Sequence, residues 1–311
     1  MMMADIMKCS LCKTNPKIYY QRHSGLNFCK ECFIKYILKR ARKTIGRKNI
    51  TKDMTIIVGL SGGKDSLVMA HVLKELYKPI PNTRIIGVMV DEGIEGYRKE
   101  GITHAIEFCE EYNMEYKIAT FKETVGYNLD EIVKIAKEKN VNLNPCTFCG
   151  VIRRKILNKV SLNENADYLA IGHNLDDIAQ AVMMNYIKGD INKLAILGKD
   201  AGSSLFVKRM KPLQDIPEHE VLLFADLIGL NYHKDPCPYS SISYRAEVSD
   251  IVENLEKKHP GTSYSIVSGF KKLIEHIPVE KNMSICKYCG EAGSSEICKS
   301  CALLENLGIR V

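Results

Sequence analysis

The amino-acid sequence predicts an α/β protein: a parallel sheet with helices on both faces, framed by a cysteine-rich segment at each end. Three observations predict it. Short apolar, β-branched runs alternate with amphipathic stretches through the middle of the chain, a glycine-rich turn follows the first such run, and paired cysteines fall near both ends. At 311 residues, 45% hydrophobic and 26% charged, the chain has room for one large domain with smaller appendages.

The first element is a cysteine quartet. Cys9-x2-Cys12 is followed after sixteen residues by Cys29-x2-Cys32, the spacing of two knuckles that aim four thiolates at one tetrahedral ion. Cys286-x2-Cys289 and Cys298-x2-Cys301 repeat the arrangement with eight residues between pairs. Both quartets read as structural zinc sites, because four thiolates leave no position open to a substrate. Twelve cysteines without a secretory signal point to metal or redox chemistry in a cytoplasmic protein rather than to a disulfide framework. The apolar start, Met1 to Met7, is interrupted by Asp5 and too short for a signal core or a spanning helix, so no membrane role is expected.

Next comes a basic helix. Lys35, Lys39, Arg40, Arg42, Lys43, Arg47 and Lys48 occur with no acid among them, over an apolar stripe of Ile34, Ile37, Leu38, Ala41 and Ile45. With a net charge of +7, this face suits a polyanion, although a charge run is also the ordinary look of a solvated helix. The central alternation follows: strands at Met54–Leu60, Arg84–Val90, Glu115–Thr120 and Asp167–Gly172, and helices after Ser66, from Gly96 to Tyr112, from Glu123 to Lys139 and from Asp176 to Lys188. From Glu218 to Ile277 the pattern is mainly helical, broken at Pro260-Gly261. These divisions suggest a zinc domain over 1–34, a linker helix over 35–52, a catalytic domain over 53–240, a helical extension over 241–282 and a second zinc domain over 283–311.

Ser61-Gly62-Gly63-Lys64-Asp65-Ser66 lies where the first strand hands over to a helix, so backbone amides and a helix N-terminus can face a phosphate. It is not a Walker A loop: Gly59 stands one residue too close, and Asp65 replaces the magnesium-binding Ser or Thr. The hexapeptide resembles the signature of the PP-loop ATP pyrophosphatase superfamily, which cleaves ATP between its α and β phosphates. Val90-Asp91-Glu92-Gly93 and Gly172-His173-Asn174-Leu175-Asp176-Asp177 look like its companion motifs. The resemblance implies an ATP site built from Gly59, Leu60, Ser61, Gly62, Gly63, Asp65, Ser66, Val90, Gly172 and Asp177. Lys64 would neutralise the pyrophosphate, one of Asp176 and Asp177 would hold magnesium or position the pyrophosphate, and Arg153 would pair with the α-phosphate. His173 reads as a structural histidine.

Cys146, Cys149 and Cys237 remain, since Cys109 lies in an apolar helix pattern and reads as a small core residue. Spacing alone leaves three readings level: a Cys146–Cys149 dithiol, a zinc site completed by His233, or a cubane cluster with one iron free of protein ligands. Pro145-Cys146-Thr147-Phe148-Cys149-Gly150 with Arg153-Arg154, a distal Cys237 and the flanking quartets together look like the TtuA/TtcA family of tRNA thiolation enzymes, over nearly the whole chain. That resemblance implies a [4Fe-4S] cluster on the three cysteines, ATP with magnesium as cosubstrate, and two zinc ions. The reaction implied is adenylation of a uracil O2 followed by sulfur transfer to C2. Asn185-Tyr186-Ile187-Lys188-Gly189-Asp190 looks more like the branch acting on wobble uridine 34 than the branch acting on T-loop uridine 54. Family-level expectations are tRNA as substrate, free sulfide or a thiocarboxylated ubiquitin-like carrier as donor, and a homodimer. A persulfide on Cys146 or Cys149 is the rival sulfur route. A nonthiolating PP-loop ligase leaves the three cysteines without a use, and a noncatalytic zinc-ribbon nucleic-acid binder leaves Lys64, Asp65 and Asp177 without one.

Overall fold

Two short antiparallel strands, β1 (Tyr19–Gln21) and β2 (Leu26–Phe28), lead into helix α1 (Lys30–Ile45). The computed structural model describes residues 7–46, 49–142, 144–198, 205–240, 244–277, 284–293 and 295–309. Helix α1 buries Phe33, Ile37, Ala41 and Ile45 at helical spacing and leaves Lys35, Lys39, Arg42 and Lys43 exposed. Arg40 differs from the other cations: it donates to the Tyr36 hydroxyl at 2.6 Å and lies 4.8 Å from the Tyr264 ring centroid. Arg47 and Lys48 lie outside the described residues.

The core alternates β3 (Thr55–Leu60), α2 (Lys64–Tyr77), β4 (Arg84–Asp91), α3 (Arg98–Glu111) and β5 (Glu115–Thr120). It continues with α4 (Phe121–Val125), α5 (Leu129–Glu138), α6 (Pro145–Asn163), β6 (Tyr168–Ala170), α7 (Leu175–Ile187), α8 (Ile191–Gly198), β7 (Lys208–Met210) and α9 (Glu218–Leu227). The five strands form one parallel sheet in the order β5-β4-β3-β6-β7. Ile56, Ile57 and Val58 are all fully buried, as a central strand covered on both faces requires. Ile56 and Val58 pack with α1, α2 and α9, while Ile57 packs with α4, α5 and α6. Burial of each such side chain stabilises the fold by roughly 1.5–3 kcal/mol.

Two sequence expectations need correction. The stretch from Glu123 to Lys139 is two helices, because Gly126 takes φ +84 and ends α4, and Thr120/Glu123 and Asn128/Glu131 form separate capping boxes. The expected helix from Gly96 begins at Arg98, since Gly96 itself adopts φ +68.

Helices α10 (Tyr244–Lys258) and α11 (Thr262–Ile274) pack Val248, Val252, Val267 and Phe270 against Leu175, Ile178 and Val182 of α7. Strands β8 (Ser284–Ile285) and β9 (Ala292–Gly293) precede α12 (Lys299–Glu305), and Leu303, Leu304 and Leu307 join the cluster that holds Phe148 and Ile152 of α6. Among the described residues, no helix is long and apolar enough to cross a membrane.

Candidate active site

The sheet order reverses at β3, whose neighbours β4 and β6 carry the chain away in opposite directions. A parallel sheet offers its ligand crevice at such a switch point, beyond the carboxyl ends of the strands. Two turns meet there. Gly62 has φ +83, and a Cβ on it would fall 1.8 Å from the Gly101 carbonyl oxygen, so only glycine fits between the turn and α3. The Ser66 hydroxyl accepts from the Ser61 amide at 3.1 Å and donates to the Gly63 carbonyl at 2.9 Å, which closes the turn on the first helical residues of α2.

From the β6 side, Asn174 and Asp177 cap α7 reciprocally at 2.9 and 3.0 Å, and the Asn174 side-chain amide donates to Asp65 at 3.0 Å. The two nucleotide motifs are therefore hydrogen-bonded to each other. Lys64 reaches Asp65 at 2.9 Å and Glu218 at 2.6 Å; burial lowers its pKa, but these carboxylates outweigh that and raise it above the ordinary value. Asp176 accepts from the Glu218 amide at 2.7 Å and the Ser263 hydroxyl at 2.9 Å, which ties α7 to α9 and α11. Asp177 instead pairs with Arg245 at 2.7 Å; burial pushes its carboxyl pKa up against the pull of that guanidinium. Desolvation of the His173 ring, together with the nearby charges of Arg245, Lys211, Arg209 and Arg154, holds its pKa down at about 3, so the imidazole is neutral.

Cys146 and Cys149 sit in the first turn of α6, which begins with Pro145 and is capped by the Asn144 side chain accepting from the Cys146 amide at 2.8 Å. Their spacing puts both thiols and Arg153 on one helix face. Cys237 arrives from the loop between α9 and α10, and the three cysteines line one cavity of about 240 Å³ with Arg153, Tyr239 and Ser240. Burial pushes both α6 thiols up in pKa, and the Arg153 guanidinium works against it. Arg153 donates to the Cys149 sulfur at 2.9 Å and meets Glu92 at 2.8 Å. Glu92 is only 3% exposed and also lies 2.7 Å from Arg98 Nε, which donates to the Val90 carbonyl while Nη1 donates to the Ser61 carbonyl. Two arginines on one buried glutamate, Arg98 buried and Arg153 half-exposed, thus link the thiol pocket to the phosphate turn. A backbone bridge does the same, because the His233 amide donates to the Gly62 carbonyl at 2.9 Å four residues before Cys237. A second cavity, of about 430 Å³, is lined by Ser61, Gly63, Lys64, Asp65, Tyr97, His233 and Asp235. Leu60 and Val90 are buried where β3 and β4 end, while Gly59 and Gly172 lie against Leu157 and the Asp65 backbone.

The geometry separates the kinds of metal site. Tetrahedral zinc–thiolate bonds of about 2.3 Å put neighbouring sulfurs about 3.8 Å apart. Cys12 and Cys29 lie 3.8 Å apart and Cys289 and Cys298 lie 3.7 Å apart, and in each quartet all ligand atoms are within 4.8 Å of one another. Hydrogen bonds from the Thr14 side chain and from the Asn15 and Thr14 amides hold the Cys12 thiol down at about 6, in the range where thiolate forms readily. Among the described residues, the third close group is Glu100, His233 and Asp235. Cys146, Cys149 and Cys237 do not form such a tight set, and His233 faces carboxylates rather than completing a zinc site with them. Three thiols around a larger cavity fit a polynuclear cluster better than one ion.

Residues that sequence reasoning gave no role here include Arg98, Glu100, Glu218 and Arg245, each brought in by tertiary packing. Asn174 did carry a local signal, the Asn-x-x-Asp capping pattern.

A switch-point glycine turn hydrogen-bonded to a second acidic turn defines a PP-loop nucleotide-binding protein, here with a three-thiol pocket attached. Residues 35–252 match the model of the PP-loop domain, and residues 8–34 match that of the 2-thiouridine synthetase TtuA N-terminal LIM domain. The chain belongs to the TtuA/NcsA family of PP-loop tRNA 2-thiolation proteins. The U34-tRNA thiolase NcsA from Methanococcus maripaludis, solved with its [4Fe-4S] cluster, is 58% identical with a TM-score of 0.88 over 98% of each chain. A probable sulfurtransferase of Methanocaldococcus jannaschii is 47% identical over 97% of this chain and 89% of its own length. The tRNA-5-methyluridine(54) 2-sulfurtransferase of Pyrococcus horikoshii is 34% identical over 95% of this chain and 93% of its own.

Proposed function

We propose that this protein converts the wobble uridine 34 of tRNA to 2-thiouridine, using ATP and a [4Fe-4S] cluster held by Cys146, Cys149 and Cys237. The observation that carries this reading is the convergence of three thiols, two from the first turn of α6 and one from a distant loop, on a cavity tied to the phosphate turn. The higher identity to the U34 enzyme than to the uridine-54 enzyme, 58% against 34%, favours the wobble position.

The turn from Ser61 to Ser66 would cradle the ATP phosphates on its amides and on the N-terminus of α2. Lys64 would neutralise charge as pyrophosphate departs, and Asp177 would take magnesium if Arg245 yields. Attack of the uracil O2 on the α-phosphorus releases pyrophosphate and leaves AMP on that oxygen. Sulfide then adds at C2, the C2–O2 bond breaks, and AMP leaves with both electrons. A [4Fe-4S] cluster held by Cys146, Cys149 and Cys237 would keep one iron free of protein ligands and would supply a Lewis-acidic place for the sulfur donor. Arg153, lying between Cys149 and Glu92, would orient α6 and balance thiolate charge. Exposed Lys35, Lys39, Arg42 and Lys43 would meet tRNA phosphates. Two zinc ions would occupy the cysteine quartets, and the domain divisions given above would be units of one packed enzyme.

The test uses anaerobically purified protein with ATP, sulfide and tRNA transcripts, with nucleosides read by mass spectrometry. 2-Thiouridine should form in wild type, vanish when uridine 34 is replaced and persist when uridine 54 is replaced. Cys237→Ala should lose iron, labile sulfide and thiolation together while zinc remains. Thiolation by a variant devoid of iron would overturn the cluster reading in favour of persulfide transfer. Supplying the thiocarboxylated carrier in place of sulfide identifies the donor.

A further inference from the structure

We propose that Glu100, His233 and Asp235 form a binding site for one divalent transition-metal ion at the mouth of the phosphate cavity, separate from the cysteine sites and from Asp177. The His233 side chain is only 7% exposed, and its Nε2 is enclosed without a hydrogen-bond partner. That nitrogen points at two carboxylates, Glu100 Oε2 at 3.3 Å and Asp235 Oδ2 at 3.8 Å, and the three ligand atoms all lie within 4.8 Å of one another. An enclosed imidazole nitrogen without a hydrogen bond is unfavourable, and a metal ion accepting its lone pair removes that cost while neutralising both carboxylates.

The ring is held for this purpose. Its backbone amide is fixed to Gly62, and its faces meet Tyr97 and His104, with ring centroids 5.0 and 6.2 Å away. Gly101 leaves room beside it, since a Cβ there would stand 3.5 Å from His233 Nδ1. Glu100 and Asp235 are 64% and 77% exposed, so the ion would keep open positions toward solvent and the cavity that Ser61, Gly63, Lys64 and Asp65 also line. Bound phosphate oxygens fit those positions. One imidazole with two carboxylates suits Mn²⁺, Fe²⁺, Co²⁺ or Zn²⁺ better than Mg²⁺, which prefers oxygen ligands and water. This site does not depend on the thiolation reading.

The experiment titrates Mn²⁺ into nucleotide-free, anaerobically purified protein with its cysteine sites loaded, following the six-line electron paramagnetic resonance of free Mn²⁺. Wild type should remove one equivalent, and Mg²⁺ in excess should not return it. The exposed-residue variant Glu100→Gln/Asp235→Asn should bind at least about tenfold more weakly with its circular dichroism, iron and zinc content unchanged. His233→Gln should do the same, while Asp177→Asn should titrate like wild type. Uptake by the double variant equal to that of wild type would overturn the site, as would wild type that leaves Mn²⁺ free or loses it to Mg²⁺.

Discussion

At the scale of single residues, the least replaceable position is Gly62. Alanine there would combine a left-handed backbone with a clash against the Gly101 carbonyl. Gly62→Ala should therefore abolish ATP binding in calorimetry and lower stability by more than ~1 kcal/mol, read from urea unfolding. Glu92, which is nearly buried between Arg98 and Arg153, is the second. Glu92→Ala leaves the buried Arg98 guanidinium without its carboxylate and should cost about 3 kcal/mol in the same assay. A third test concerns pH. Glu220 is fully buried and accepts from Gln21 at 2.6 Å, and burial raises its carboxyl pKa. A raised folded value means the folded state holds the proton more tightly. The stabilisation is complete below the unfolded pKa, near 4.5, and is lost as pH rises through the folded value. Relative to wild type, Glu220→Gln should thus gain stability as pH rises above about 4.5. An unchanged difference would mean Glu220 does not titrate differently on folding.

At the scale of elements, the same device is used at both ends of the chain. The knuckle of each quartet closes with a residue of positive φ, Lys13 at 63 and Gly290 at 70, and the second cysteine pair begins a helix in each. Spacing made both quartets legible, because tetrahedral chemistry leaves its period in the sequence. Strands β3 and β4 were legible for a similar reason: buried parallel strands are runs of Ile and Val. Strand β5, Glu115 to Thr120, is an exposed edge strand, and its place in the alternation of strands and helices made it legible. By contrast, β7 is three residues, Lys208 to Met210, with two exposed, and only pairing to β6 defines it. The break at Gly126 was visible in its two capping boxes, but the helical periodicity running across it concealed it. The C-terminal module rests on α6, the helix that carries Cys146 and Cys149. Cys301→Ser should therefore release its zinc and also reduce iron loading at the intact cysteine trio, both read by metal analysis. Full iron content in that variant would show that α6 holds its place unaided.

At the scale of the whole molecule, the N-terminal module shares a core with the sheet. Phe28 and Phe33 belong to the cluster that contains Ile56, Leu67 and Phe224, so the composition shift near residue 35 marks no gap in packing. Local spacing could not reveal this, nor that Arg40 is spent on Tyr36 and Tyr264. Charge reversal at Lys35, Lys39, Arg42 and Lys43 should weaken tRNA binding across sequences and reduce the salt slope by about one per lost contact. Arg40→Ala should instead lower stability. Equal tRNA affinity after reversal would place the nucleic acid on another face. The motifs were readable because each is local; their meeting at the switch point depends on strand order.

The pairing of His233 with Gly62 makes the short interval to Cys237 a ruler. Its length sets how far Cys237 stands from the phosphate turn. One glycine inserted between Lys234 and Asp235 would keep every side chain's chemistry but lengthen that span, so under the proposed reaction ATP would still bind while 2-thiouridine formation falls.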